Sequence, residues 1–200
     1  GLGLDGIRFR MHYGKEIIHM RVPMIGRHSI HTALRAAAVG LNDGISWQEI
    51  LEGLSHGHTQ LRLVAARSET GALILDDTYN AAPESMLAAL NLLDELDGRK
   101  IAILGDMLEL GPYERQGHEM VGMRAAQVAK VLITLGTRGH MIAEAARRAG
   151  MKATAIMEHE DIAPIVDWLT KNLNSNDAVL IKGSHGLRMD RIAAALEVRS

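Results

Sequence analysis

The chain has 200 residues, 47% of them apolar and 23% charged, with a formal net charge of −2 and no cysteine. A chain this long buries roughly 70% of the surface that its unfolded form exposes, enough for one large domain or two modest ones, and its balanced charge argues against disorder, nucleic-acid binding and an electrostatic grip on lipid. The lack of cysteine excludes disulfide scaffolds, thiolate zinc sites and cysteine nucleophiles and suits a cytoplasmic protein, and no apolar run approaches the ~20 residues needed for membrane insertion.

The first residue is Gly1, with no initiator methionine or signal-like segment, which suggests a piece of a longer chain. Residues 7 to 22 alternate. Ile7, Phe9, Met11 and Tyr13 are spaced by two, and Ile18, Met20 and Val22 repeat the rhythm after Gly14-Lys15-Glu16, which predicts a β-hairpin. From His28 to Leu41 the period lengthens. Ile30, Ala33, Leu34, Ala37, Ala38 and Leu41 form a helical stripe that stops before Asn42-Asp43-Gly44, a turn signal. Ser46-Trp47-Gln48-Glu49 fits a capping box at the start of a short helix through Leu54, hydroxyl and carboxylate each satisfying a free amide. Residues 55–70 have little period and read as a connector, so the sequence predicts one unit over 1–65 and another over 66–200.

A different grammar follows. Short apolar runs at Ala72–Leu75, Ile101–Leu104, Val131–Leu135, Ala153–Met157 and Ala178–Ile181 alternate with stripes at helical spacing, such as Met86/Leu90/Leu93 after Pro83 and Val121/Ala125/Val128. Parallel strands need helical crossovers, so five such units predict an α/β fold with a doubly wound, mostly parallel sheet. In such sheets ligands bind outside the carboxyl ends of the strands. Three segments stand there: Asp76-Asp77-Thr78-Tyr79-Asn80, Gly105-Asp106-Met107-Leu108-Glu109 and Lys182-Gly183-Ser184-His185-Gly186.

Neither a G-x-x-x-x-G-K-[S/T] phosphate loop nor a G-x-G-x-x-G turn occurs, which removes a built-in phosphate cradle and weakens a nicotinamide or flavin reading. The adjacent carboxylates of Asp76 and Asp77 suit a ribose diol or a magnesium shell, or else cap a turn. Lys182 is either a point charge for a phosphate or a solvated loop lysine. Among ten histidines, His28 with His31 and His56 with His58 are thinkable metal pairs. Neither pair has a third ligand at a sensible spacing, so no metal site is assigned. The eleven methionines read mainly as core filling.

The segments Leu75-Asp76-Asp77-Thr78-Tyr79-Asn80-Ala81-Ala82-Pro83-Glu84-Ser85-Met86, Leu104-Gly105-Asp106-Met107-Leu108-Glu109-Leu110-Gly111, His118-x-x-Val121-Gly122 and Val179-Leu180-Ile181-Lys182-Gly183-Ser184 together resemble the Mur ligases, from about residue 7 onward. The resemblance implies three domains, of which this chain would hold the tail of the central ATP-binding domain, over 1–65, and the whole C-terminal α/β domain, over 66–200. It implies ATP-dependent amide formation through an acyl phosphate. The Asp-Asp-Thr-Tyr-Asn and Gly-Asp-Met-Leu-Glu-Leu-Gly motifs favour the member that adds D-alanyl-D-alanine to a UDP-N-acetylmuramoyl-tripeptide in peptidoglycan synthesis. Alternatives are another Mur or folylpolyglutamate-type ligase and a non-catalytic ligand-binding module.

On that resemblance Lys182 and Ser184 face the reaction centre, and Asp77, Asn80, Arg62, Thr32 and His28 lie toward ATP. Ser29 and Thr32 stand where asparagines are usual, Ala82 replaces a common asparagine, and His185 stands where arginine is frequent. The phosphate loop and the ligands of Mg2+ would lie upstream, in the rest of the same chain, leaving this piece inactive alone. The acidic residues Asp106 and Glu109 are assigned on charge alone to the ammonium of the incoming dipeptide.

Overall fold

The computed structural model describes residues 6–14, 16–27, 29–56 and 63–196. The chain divides into two compact units, Gly1–Leu61 and Arg62–Ser200.

In the first unit strands β1 (Ile7–Tyr13) and β2 (Glu16–Val22) form the expected hairpin, antiparallel with Ile7 opposite Val22 and Phe9 opposite Met20. Helices α1 (Ser29–Asn42) and α2 (Trp47–His56) follow. Ile7, Val22 and Ala33 make a small core against which Phe9, Ile30 and Leu54 pack. The capping box forms: the Glu49 carboxylate accepts from the Ser46 amide at 3.0 Å and the Ser46 hydroxyl at 2.6 Å, while the Glu49 amide donates to the Ser46 hydroxyl at 3.4 Å.

The second unit is a six-stranded sheet flanked by helices. In chain order it comprises β3 (Val64–Arg67), β4 (Leu73–Asp77), α3 (Pro83–Glu95), β5 (Arg99–Gly105), α4 (Glu114–Val128), β6 (Val131–Leu135), α5 (Gly139–Arg148), β7 (Ile156–His159), α6 (Ile162–Asn172), β8 (Asp177–Lys182) and α7 (Asp190–Leu196). The strand order is β3-β4-β8-β5-β6-β7, parallel throughout except for β3, which is antiparallel to β4. The expected doubly wound sheet is therefore present, with two corrections. The connector contains an edge strand, β3, whose Val-Ala-Ala-Arg is too short and too weakly patterned to stand out. The run at Ala153–Met157 opens with a 3-10 turn, Ala153–Ala155, so its strand begins at Ile156.

Alternation sorts the strand residues onto two faces. Ile74, Ile101, Ile103, Ile133, Val179 and Ile181 form a core with Ile165 and Leu169 of α6 and Ile192, Ala193 and Leu196 of α7. Leu75, Ala102, Leu104, Leu132 and Leu180 face the opposite layer and are equally buried; α3, α4 and α5 pack there. Met86, Met107 and Met189 fill the core as expected, whereas Met120 and Met123 are exposed on α4.

The winding reverses at β8. After β4 and β5 the chain turns to the face of α3 and α4, but after β8, which lies between those two strands, it turns to the opposite face. In doubly wound sheets ligands bind outside the carboxyl ends of the strands at such a reversal.

Candidate active site

Lys182 is the last residue of β8, in register with Asp77, the last residue of β4. Both were expected just beyond their strands; instead the strands run on to include them. Lys182 is only 2% exposed, and its Nζ lies 2.7 Å from an Asp77 carboxylate oxygen. The same ammonium donates to the carbonyl oxygen of Asn80 at 2.8 Å. A buried charge is tolerated only when paired and hydrogen-bonded, so the solvated-lysine alternative is corrected. An ammonium has three donors, and these are the two contacts that it makes with described residues.

The two aspartates differ. The Asp76 carboxylate accepts from both the amide (3.1 Å) and the hydroxyl (2.7 Å) of Thr78, capping the turn that leaves β4, while Asp77 serves Lys182. Beyond the turn the Asn80 side-chain oxygen accepts from the Ala81 amide at 2.8 Å, and Ser85 bonds both the amide and the carbonyl of Ala82 to start α3. Tyr79 and His185 lie edge to face with centroids 6.3 Å apart, and both are exposed.

The loops after β5 and β8 are joined. The Ser184 amide donates to the Asp106 carbonyl at 3.0 Å, and the Ser184 hydroxyl accepts from the Leu108 amide at 2.9 Å. Glycine makes this possible. A Cβ on Gly183 would stand 2.4 Å from the Met189 sulfur and 3.0 Å from the Gly105 Cα, and one on Gly105 would stand 2.5 Å from the same sulfur.

Asp106 and Glu109 do not act as a pair. The buried Asp106 carboxylate accepts from the Gly139 amide at 2.7 Å, capping α5, with Arg138 at 3.8 Å. Arg138 also donates to Glu114 at 2.6 Å, which holds the guanidinium above its ordinary range, with Asp106 adding to the effect. Glu109 is exposed.

Of the expected site residues, Lys182, Asp77 and Asn80 converge directly, Ser184 and Asp106 meet through the joined loops, and Thr32 lies exposed on α1 in the first unit. His28 and Arg62 lie outside the described residues. One buried polar side chain at this edge received no role from the sequence: His118, on α4. Its signal was its place three residues before Val121 and seven before Ala125, on the stripe of α4 that is buried.

A mostly parallel sheet wound on both faces, with a buried lysine held by an aspartate at its carboxyl edge, defines an α/β domain of the doubly wound class. Residues 61–185 match the family described as "Mur ligase, glutamate ligase domain", and the chain belongs to the Mur ligase family. It is 32% identical over 180 residues to the UDP-N-acetylmuramoyl-tripeptide--D-alanyl-D-alanine ligase of Bacillus subtilis, covering 88% of this chain and 39% of that protein. The Escherichia coli protein of the same name is 30% identical over 198 residues, 96% of this chain and 42% of the relative. Among solved structures, MurF from Acinetobacter baumannii superposes with a TM-score of 0.82 at 28% identity over 98% of this chain and 43% of that one. MurF from Thermotoga maritima, solved in complex with ADP, shares the fold with a TM-score of 0.74 at 21% identity, over 96% of this chain and 46% of that one. The chain thus spans about two-fifths of the length of the curated relatives it matches.

Proposed function

We propose that this chain is the C-terminal part of an ATP-dependent ligase that joins D-alanyl-D-alanine to a UDP-N-acetylmuramoyl-tripeptide during peptidoglycan synthesis in the cytoplasm. In this reading residues 1–65 complete the central ATP-binding domain and residues 66–200 form the C-terminal ligase domain. The observation that carries the proposal is the buried Lys182, fixed by Asp77 and the Asn80 carbonyl, in a chain with relatives of that name at about 30% identity.

The chemistry requires transfer of the ATP γ-phosphoryl group to the tripeptide carboxylate, giving ADP and an acyl phosphate. The dipeptide amine then attacks the acyl carbon; the C–N bond forms, phosphate leaves and the nitrogen loses a proton. Lys182 sets its charge against the phosphoryl group in flight, where a preorganised cation in a site with little water acts most strongly. Asp77 and Asn80 lie toward the ATP ribose. Ser184 holds the β5 and β8 loops together, which keeps the acceptor in line with the acyl carbon. Thr32, His28 and Arg62 are assigned to the nucleotide by the family resemblance.

Magnesium fits this edge poorly. The Asp76 carboxylate is bonded to Thr78, Asp77 to Lys182 and Asp106 to α5, so among the described residues no group of three metal-ligating side chains gathers here, and in this reading the ion's ligands come from elsewhere in the same protein. The test uses the full-length protein with ATP, magnesium and UDP-N-acetylmuramoyl-tripeptide, offering D-alanyl-D-alanine beside single amino acids. Mass spectrometry should find the pentapeptide product only with the dipeptide. A product with glutamate or another single amino acid, or none at all, contradicts the proposal.

A further inference from the structure

The loop Asp106–Leu110 leaves the sheet after β5, yet it is held from three sides. The Met107 amide donates to His118 Nε2 at 3.0 Å, the Leu108 amide to the Ser184 hydroxyl at 2.9 Å, and the Asp106 carboxylate accepts from the Gly139 amide. His118 is fully buried, and its Nδ1 lies 2.7 Å from the carbonyl oxygen of Glu114 in the first turn of α4. A donor facing Nε2 and an acceptor facing Nδ1 leave one arrangement, a neutral ring with its hydrogen on Nδ1.

Two residues after Met107 comes Glu109, with φ of +65°. Its carboxylate makes no hydrogen bond or ion pair with the described residues. Glycine or asparagine would adopt this left-handed backbone with less strain, and strain retained where nothing in the fold uses the side chain points to a task for it. An exposed carboxylate on a rigidly held loop at the carboxyl edge suits an ammonium. We propose that His118 is a positioning residue: by fixing Met107 it sets the loop that presents the Glu109 carboxylate to the amine of the acceptor substrate. This rests on the ligase reading above and deepens it by naming Glu109, without Asp106, as the group that recognises the amine.

The test is steady-state kinetics of the full-length protein with ATP and D-alanyl-D-alanine varied separately, for E109Q, H118F and H118Q. Glutamine can donate to the Glu114 carbonyl and accept from Met107, whereas phenylalanine fills the space and does neither. E109Q and H118F should each raise the KM for the dipeptide about tenfold and leave that for ATP within about twofold, and H118Q should restore most of the loss. An unchanged dipeptide KM in H118F or in E109Q, or an H118Q no better than H118F, overturns the proposal and leaves the ligase reading standing. A wild-type protein that uses no amine acceptor sinks both. Should H118F fail to fold, nitrogen NMR of the wild-type imidazole decides: the Nδ1–H form supports the proposal and an Nε2–H or charged ring at neutral pH contradicts it.

Discussion

Asp77 and Lys182 are partners in register on the last rung shared by β4 and β8, and their side chains close a 2.7 Å ion pair. With its side chain 2% exposed, Lys182 cannot lose the Asp77 carboxylate and be compensated by water. Asp77→Ala and Lys182→Ala should each destabilise the chain by about 3 kcal/mol. The double variant should cost less than the sum, with a coupling of about 1–3 kcal/mol in a urea-unfolding cycle. Additive effects would show that the two groups act independently.

The close passage of the β5 and β8 loops makes Gly183 intolerant of a side chain. Gly183→Ala should cost about 1–3 kcal/mol, because the new methyl group meets the Gly105 backbone as well as the movable Met189 sulfur. Adding Met189→Ala should recover only part of the loss, since the backbone contact persists. Full recovery in thermal unfolding would mean that the methionine alone sets the limit.

At the opposite edge of the sheet, Asp177 is buried and accepts from Arg99 Nε and Nη2, each at 2.7 Å, and from the Asn174 amide at 2.8 Å. Asp177→Ala should destabilise by about 3 kcal/mol yet leave the KM for ATP of the full-length protein unchanged, because this edge faces away from the site. A raised KM for ATP would contradict that placement of the site.

Acid should weaken the second unit. Burial pushes the Glu158 carboxyl up, but hydrogen bonds from Arg147 and His140 outweigh it and hold the group below its ordinary value. The Arg124 hydrogen bond holds Asp94 below its own, with Lys100 assisting, and Arg188 does the same for Asp190. Depressed carboxyls stabilise the folded state above their unfolded values, and that contribution is lost as pH falls through the folded ones. Urea midpoints should therefore hold down to the ordinary carboxylate range and decline below it. Glu158→Gln should flatten the decline; an unchanged slope would show that this cluster does not contribute.

The sheet was legible because apolar runs and helical stripes carry their period in the chain. The edge strand β3 was not, because its pairing with β4 depends on a neighbour that only the fold supplies. Lys182 and Asp77 could be placed at strand ends from the sequence, but not their ion pair, which needs the strand order β4-β8 across more than a hundred residues of intervening chain. The pairing of Asp106 with Glu109 came from proximity in sequence and charge. It was divided by the backbone, which turns Asp106 toward the start of α5 and leaves Glu109 in solvent.

The account depends most directly on Lys182 meeting the transferring phosphoryl group, and turnover of the full-length protein measures that. Lys182→Ala, confirmed as folded by thermal unfolding, should lower kcat about a hundredfold or more while changing the KM for ATP much less, because the charge acts when the phosphoryl group is in flight. Asp77→Ala should lower kcat as well and also raise the KM for ATP, because it removes the group that holds Lys182. A kcat for Lys182→Ala within about twofold of the wild type would show that Lys182 only supports the sheet edge.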